Sequence, residues 1–261
     1  MAFRRRGRDM GEKGSKGLPP RPPGYWETTR SGLYSFLFVL PLLVAYEALA
    51  WVLNVGLQVP LRNAADVWLK ETLEALARLW GLRGNLALSL LLILSLAAFF
   101  YQRDAMYRQE GIQWRYFTGM LAESLVYSLL FGGVVGILTR ALLLASPEEV
   151  EGLTGLTVAL GAGLYEELLF RVLLVGGLGR LGTALVPSAP TAAYAGAVVV
   201  GAFLFSASHY LGPLGDAFSP LSFLYRWVAG IVLSALYVLR GFGITAYTHA
   251  LYDVWVFLAT G

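Results

Sequence analysis

Tyr165-Glu166-Glu167-Leu168-Leu169-Phe170-Arg171 sets two adjacent carboxylates and an arginine inside a run, from about Leu153 to Leu178, that is otherwise apolar and glycine-rich. In a membrane helix each such charge costs at least ~2.5–3.5 kcal/mol at the helix centre, even on lenient insertion scales. A chain keeps three of them together when they neutralise one another, do chemistry, or both. The composition around them is that of a membrane protein. Of 261 residues, 57% are hydrophobic and 14% charged, and the mean hydropathy is +0.61; soluble domains carry about 25% charged residues. The expected fold class is all-α, a single polytopic membrane helical bundle. The chain has no cysteine, which excludes disulfides, a thiolate nucleophile and a zinc–thiolate site.

Residues 1–30 are polar and basic, with Arg4, Arg5, Arg6, Arg8, Lys13, Lys16, Arg21 and Arg30, and Pro19, Pro20, Pro22 and Pro23 favour an extended chain. They read as a disordered cytoplasmic tail attracted to anionic lipid. A basic flank before a first span is ordinary, so no nucleic-acid partner is expected. The apolar run Leu33–Leu53, containing Pro41 and Glu47, is too long for a signal-peptide core and reads as a retained span. Residues 62–80 alternate Arg62, Asp66, Lys70, Glu71, Glu74 and Arg78 with leucines and Trp80. That pattern predicts an amphipathic helix, capped by Asn63 or a neighbour, lying at the membrane interface or over the end of the bundle. Spans over Leu86–Tyr101 and Phe117–Leu138 complete an N-terminal membrane region, 31–145. Glu47 and Glu123 are left to line a cavity or to pair with Arg226.

Residues 146–261 form the second region. Ser146-Pro147-Glu148-Glu149 has the chemistry of a helix start, and the helix it opens runs through the charged triplet to about Leu178. Gly152, Gly155, Gly161 and Gly163 are small residues that let membrane helices approach closely. Ala192–His209, Leu221–Leu239 and Gly243–Thr260 follow. The expectation is about seven to eight transmembrane helices plus the interfacial one. A cytoplasmic N-terminus puts Arg103, Arg108, Arg115, Arg180 and Arg240 inside and Glu148, Glu149, Glu151 and Asp216 outside, as the positive-inside rule requires. With straight spans, Glu166 falls mid-membrane, His209 near the outer end and His249 nearer the inner end.

Three clusters carry the polar groups of this region. In the first, Glu167 and Arg171 are i and i+4 on one helix face, and Glu166 is turned about 100° away. Arg171 would hold Glu167 ionised and leave Glu166 free for chemistry. The second is Phe205-Ser206-Ala207-Ser208-His209, and the third is His249-Ala250-Leu251-Tyr252-Asp253. The chain has two histidines in all, and both fall in these clusters. Around one cavity, these groups offer two chemistries. In one, Glu166 in a low-dielectric site acts as general base on a water, His209 helps orient that water, and His249 with Asp253 steadies an oxyanion. In the other, two histidines and a carboxylate hold zinc with one position open for water, although the chain has no His-Glu-x-x-His. Each cluster alone also has a plain structural reading: an ion-pair clamp, an interfacial histidine, a satisfied i,i+4 pair.

In this order on successive helices, the clusters resemble the pattern Glu-Glu-x-x-x-Arg, Phe-x-x-x-His, His-x-x-x-Asn/Asp of the CAAX-protease and bacteriocin-processing (Abi) family of intramembrane endopeptidases. The resemblance covers residues of about 150–260. It implies a helical bundle with a cavity open to the bilayer, Glu166 and His209 as the water-activating groups, His249 and Asp253 as oxyanion partners, and Glu167 and Arg171 as their support. It implies no obligatory cofactor, with zinc as the alternative, and a membrane-anchored protein or peptide as substrate. The compact bundle is similar to bacterial members, which places it in an inner (plasma) membrane. A proton-coupled transporter and a non-enzymatic peptide-binding or immunity protein are the competing functional classes, since intramembrane Glu, His and Asp also build proton relays.

Overall fold

The computed structural model describes residues 23–57, 61–79, 111–139, 152–212 and 215–260. The basic tail before residue 23, the span expected over 86–101 and the helix start at Ser146-Pro147 lie outside them. Every regular element among the described residues is helical: α1 (Tyr25–Thr29), α2 (Gly32–Leu53), α3 (Ala64–Leu79), α4 (Trp114–Thr139), α5 (Gly152–Leu185), α6 (Pro190–Ser208), α7 (Pro220–Arg240) and α8 (Phe242–Thr260). The helix starts follow local chemistry. Ser31 accepts the Tyr34 N–H at the head of α2, and Ser219 accepts the Ser222 N–H at the head of α7. Pro190 and Pro220 sit at the first turns of α6 and α7, where a missing N–H costs nothing. Gly241, at φ +81°, turns the chain from α7 into α8.

Five of these helices, α2, α4, α5, α6 and α7, are long and apolar enough to cross a membrane. Their outward faces carry large apolar side chains such as Leu121, Leu125, Val126 and Leu129 on α4, and Val199, Val200, Phe203 and Leu204 on α6. Exposed apolar surface of that extent marks a membrane-facing belt. α8 forms as expected from the sequence but is not among the five. It runs up the middle of the bundle, packed by α2, α4, α5 and α7, with Ile244, Thr245, Ala246, Thr248 and Ala250 all buried. A helix surrounded by protein needs no apolar coat, which is why its sequence tolerates threonines, a histidine and an aspartate.

The expected polar tail is shorter than the sequence suggests. Residues 25–29 form α1, with Thr28 and Thr29 buried. The fastening is Arg240, which donates to the Trp26 carbonyl and to Thr29 Oγ1 and lies 3.9 Å over the Trp26 ring.

α5 departs most from expectation. Between Ala162 and Val175, across the whole charged motif, it is a π-helix, and the Gly176 N–H reaches back to the Arg171 carbonyl. The i→i+5 turn is wider than an α turn and is frequent at functional sites. Successive side chains therefore diverge by less than the 100° expected for Glu166 and Glu167. α5 is also 34 residues long, well beyond the roughly 20 needed to span. It folds back as a hairpin with α6, and Glu166, counted back from Leu185, and His209, counted forward from Pro190, stand equally far from the turn. The straight-span expectation that set these residues at different depths fails for that reason.

Close approach of α5 to its neighbours depends on bare glycines. A Cβ on Gly163 would come 2.5 Å from the Ala246 carbonyl oxygen and 2.6 Å from the Ala250 Cβ, both on α8. Gly177 has nothing within 4 Å of its would-be Cβ. Gly163→Ala is expected to destabilise the bundle by about 1–3 kcal/mol through overpacking. Gly177→Ala should be neutral or mildly stabilising, since alanine is the better helix former. Thermal unfolding of the two variants in detergent checks the contrast.

Candidate functional site

The site is assembled by α5, α6 and α8, with one contribution from the head of α3. Its sealed part is the Glu167–Arg171 pair. Arg171 Nη1 stands 2.9 Å from Glu167 Oε1, with side-chain exposures of 1% and 0%. The guanidinium lies 4.3 Å over the Phe205 ring, and none of its three nitrogens makes a hydrogen bond among the described residues, so its contact with Glu167 is an ion pair by distance. The ring face, carrying partial negative charge, takes the place of an acceptor. The same Glu167 oxygen receives His249 Nδ1 at 2.7 Å. His249 Nε2 faces Asp253 Oδ2 at 3.5 Å, one turn further along α8. His249 is thus bracketed by two carboxylates, and the closer, orienting contact comes from Glu167 rather than from Asp253.

Glu166 has a different environment. It is partly exposed, as are His209 and Asp253, whereas Glu167 and Arg171 are buried. Glu166 Oε1 accepts a hydrogen bond from Asn63 Nδ2 at 2.9 Å, and both histidines lie within electrostatic reach of its carboxylate. His209 ends α6. The backbone N–H of His209 goes to the Ser206 carbonyl, and its ring Nδ1 takes the Phe205 carbonyl at 2.9 Å. A carbonyl only accepts, so Nδ1 carries the proton and Nε2 of the neutral ring is an open lone pair. Phe205 is the common spacer, edge-on to both imidazoles. The structure therefore brings Glu166, Glu167, Arg171, His209, His249 and Asp253 to one place. Among the described residues, no three His, Asp or Glu side chains are grouped as ligands of a single ion.

The two unassigned glutamates find partners other than Arg226. Glu47 pairs with Arg62 at 3.1 Å and Lys70 at 3.2 Å and accepts the Tyr165 hydroxyl at 2.9 Å. Asp66, fully buried, adds contacts to Arg62 at 2.9 Å and Lys70 at 2.8 Å. Burial works against the charge of Arg62, but its hydrogen bonds to Glu47 and Asp66 outweigh that and raise its pKa. Glu123 meets Arg240 at 2.7 Å and the Tyr25 hydroxyl at 3.0 Å. Arg226 pairs with Asp216, near the end of α6. The expected pairing of Glu47 or Glu123 with Arg226 fails because nearer cations, Arg62 and Lys70 at the head of α3 and Arg240 at the foot of α7, take both. Asn63 is the residue that sequence reasoning assigned only as a helix cap. Its reach to Glu166 spans 103 positions, and no local pattern signals it.

Residues 149–255 match the family model described as type II CAAX prenyl endopeptidase, Rce1-like. No curated protein and no solved structure matches the chain. All six of the clustered residues fall inside the matched segment; Asn63 falls outside it.

The sealed pair sets a stability test. Removing Glu167 strands a buried guanidinium and removes the contact to His249. Breaking a buried ion pair from one side costs about 3–5 kcal/mol, so Glu167→Ala should sharply lower the yield of folded protein and its unfolding temperature. Substituting the partly exposed Glu166 by Gln, which still accepts from Asn63, should leave both near wild type. Size-exclusion profiles and thermal unfolding of the two variants in detergent measure this.

Proposed function

We propose that this chain hydrolyses a peptide bond of a membrane-anchored protein or peptide with a water activated by Glu166, a reading supported by the match of residues 149–255 to the type II CAAX prenyl endopeptidase model. The observation that carries the reading is the pair of acceptors on the accessible side of the site. Glu166 keeps Oε2 free because Asn63 occupies Oε1, and His209 offers its Nε2 lone pair because Phe205 fixes the proton on Nδ1. A water held between two acceptors directs both its protons away from the attack and its oxygen lone pair toward a carbonyl. Glu166 then takes one proton as the water adds, and returns it to the leaving amine.

The tetrahedral oxyanion needs donors opposite that water. In this reading they come from the His249–Asp253 edge. Nδ1–H is spent on Glu167, and a proton carried by Nε2 or by Asp253, which stand 3.5 Å apart and make no hydrogen bond to each other, would make that edge a donor to the oxyanion. Glu167 and Arg171 set the ring orientation and touch no substrate. Two of the helices that assemble the site, α5 and α6, are long and apolar enough to cross a membrane, which supports a substrate that arrives within the bilayer. We place the N-terminus on the cytoplasmic side, on the strength of the arginine-rich segment that precedes α2.

Cleavage of membrane-anchored peptides by purified protein in detergent tests the mechanism, with wild type beside Glu166→Gln and chelator present or absent. Glu166→Gln should lower kcat by at least about a thousandfold, in line with loss of a general base together with water positioning, and chelator should leave wild-type activity unchanged. Activity that chelator removes and zinc restores would assign Glu166, His209 and His249 as metal ligands instead.

A further inference from the structure

Asn63 lies outside the family-matched residues and belongs to the loop that leads into α3. Its side chain is used at both ends. Oδ1 accepts the Ala65 N–H at 2.8 Å and so caps α3. That contact decides which end of the amide faces the site, and Nδ2 donates to Glu166 Oε1 at 2.9 Å. Its backbone is held as firmly. The N–H donates to the Tyr46 hydroxyl at 3.2 Å, the Tyr46 hydroxyl donates to Asp66 at 2.9 Å, and the Asn63 carbonyl receives the Val67 N–H at 3.1 Å. Arg62 and Lys70 then tie the first turns of α3 to Glu47 on α2. Gly161, just before the π-helix, makes room for the contact. A Cβ there would come 2.6 Å from the Tyr46 ring and 2.8 Å from the Asn63 Cβ. Asn63 is 6% exposed.

We propose that Asn63 is a positioning residue for the reaction: by occupying one oxygen of Glu166 it fixes the rotation of that carboxylate and presents the other oxygen to the attacking water. The inference rests on the reading of Glu166 as the base. Asn63 touches no substrate and acts through Glu166 alone, so its loss falls on kcat and spares KM.

Asn63→Ser and Asn63→Asp make the test, because serine and aspartate both remain good helix caps, while the serine hydroxyl is one bond short of the position from which Nδ2 reaches Glu166 and an ionised aspartate has no donor. Asn63→Ser should lower kcat about ten- to a hundredfold, the worth of one hydrogen bond to a charged group, with KM and the unfolding temperature near wild type. Asn63→Asp should fall further, since it sets a second carboxylate against Glu166. Wild-type kcat in both variants, or losses that track the unfolding temperature, would reduce Asn63 to a cap and overturn the proposal.

A second measurement needs no substrate. The infrared difference between wild type and Glu166→Gln isolates the carboxylate stretch of Glu166, and Asn63→Ser should displace that band. An unmoved band overturns the role of Asn63 while leaving Glu166 as the base. A displaced band together with a fully active Glu166→Gln overturns the reading of Glu166 itself, and with it the part of Asn63 in the reaction.

Discussion

The ion pair of Glu167 with Arg171 is the constraint on which the rest of the bundle depends. Both side chains are sealed from the surface, and taking each out of water costs several kcal/mol that only good geometry offsets. The offset comes from three neighbours: the facing charge, the Phe205 ring under the guanidinium, and the His249 nitrogen on the carboxylate. These partners lie on α5, α6 and α8, so satisfying one buried pair fixes three helices against one another. Gly163 supplies the closeness that the α5–α8 contact requires. The partly exposed groups then have no freedom in where they fall. Once Glu167 points into the protein, Glu166 must point to the accessible side, toward His209 and the head of α3.

Much of this was legible in the sequence, and the boundary is physical. The i,i+4 relations of Glu167 with Arg171 and of His249 with Asp253 are short-range and survive in the structure at 2.9 and 3.5 Å. The membrane class followed from composition, and α3 from the alternation of charge and leucine. The π-helix was not legible, because its residues are those of any apolar helix and the extra residue per turn is imposed by packing. Relative depth failed for a related reason: a helix of 34 residues cannot be counted as one span of ordinary length. α8 was read as a span because its length is right, yet its place at the centre of the bundle explains why its polar residues are so many. Asn63, Glu47 and Glu123 make contacts between distant parts of the chain, and no spacing rule reaches that far.

Two clusters of charged groups outside the site, among the described residues, follow one pattern. Arg62, Lys70, Asp66 and Glu47 gather at the junction of α2, α3 and α5, while Arg240, Glu123, Thr29 and Trp26 gather at the foot of α7. Each cluster mixes opposite charges with hydroxyl groups, so that little net charge is left uncompensated. Arg240, counted from the sequence as a topology-setting loop residue, is 2% exposed and holds α1 in place. Its charge is therefore spent on the fold as well as on any bias across the membrane.

Two carboxylates adjacent in the chain thus meet opposite surroundings. Glu167 faces a guanidinium and an imidazole, which meet one of its oxygens at 2.9 and 2.7 Å. Glu166 is held by a neutral amide at one oxygen, with the other oxygen unspent. A neutral donor orients a carboxylate without drawing off as much of its negative charge as a full cation in contact would, so the carboxylate stays a proton acceptor. The wider π turn delivers Glu167 to the guanidinium and to His249, while Glu166 meets the Asn63 amide. Two chemically identical groups thus differ in the partners to which the turn delivers them.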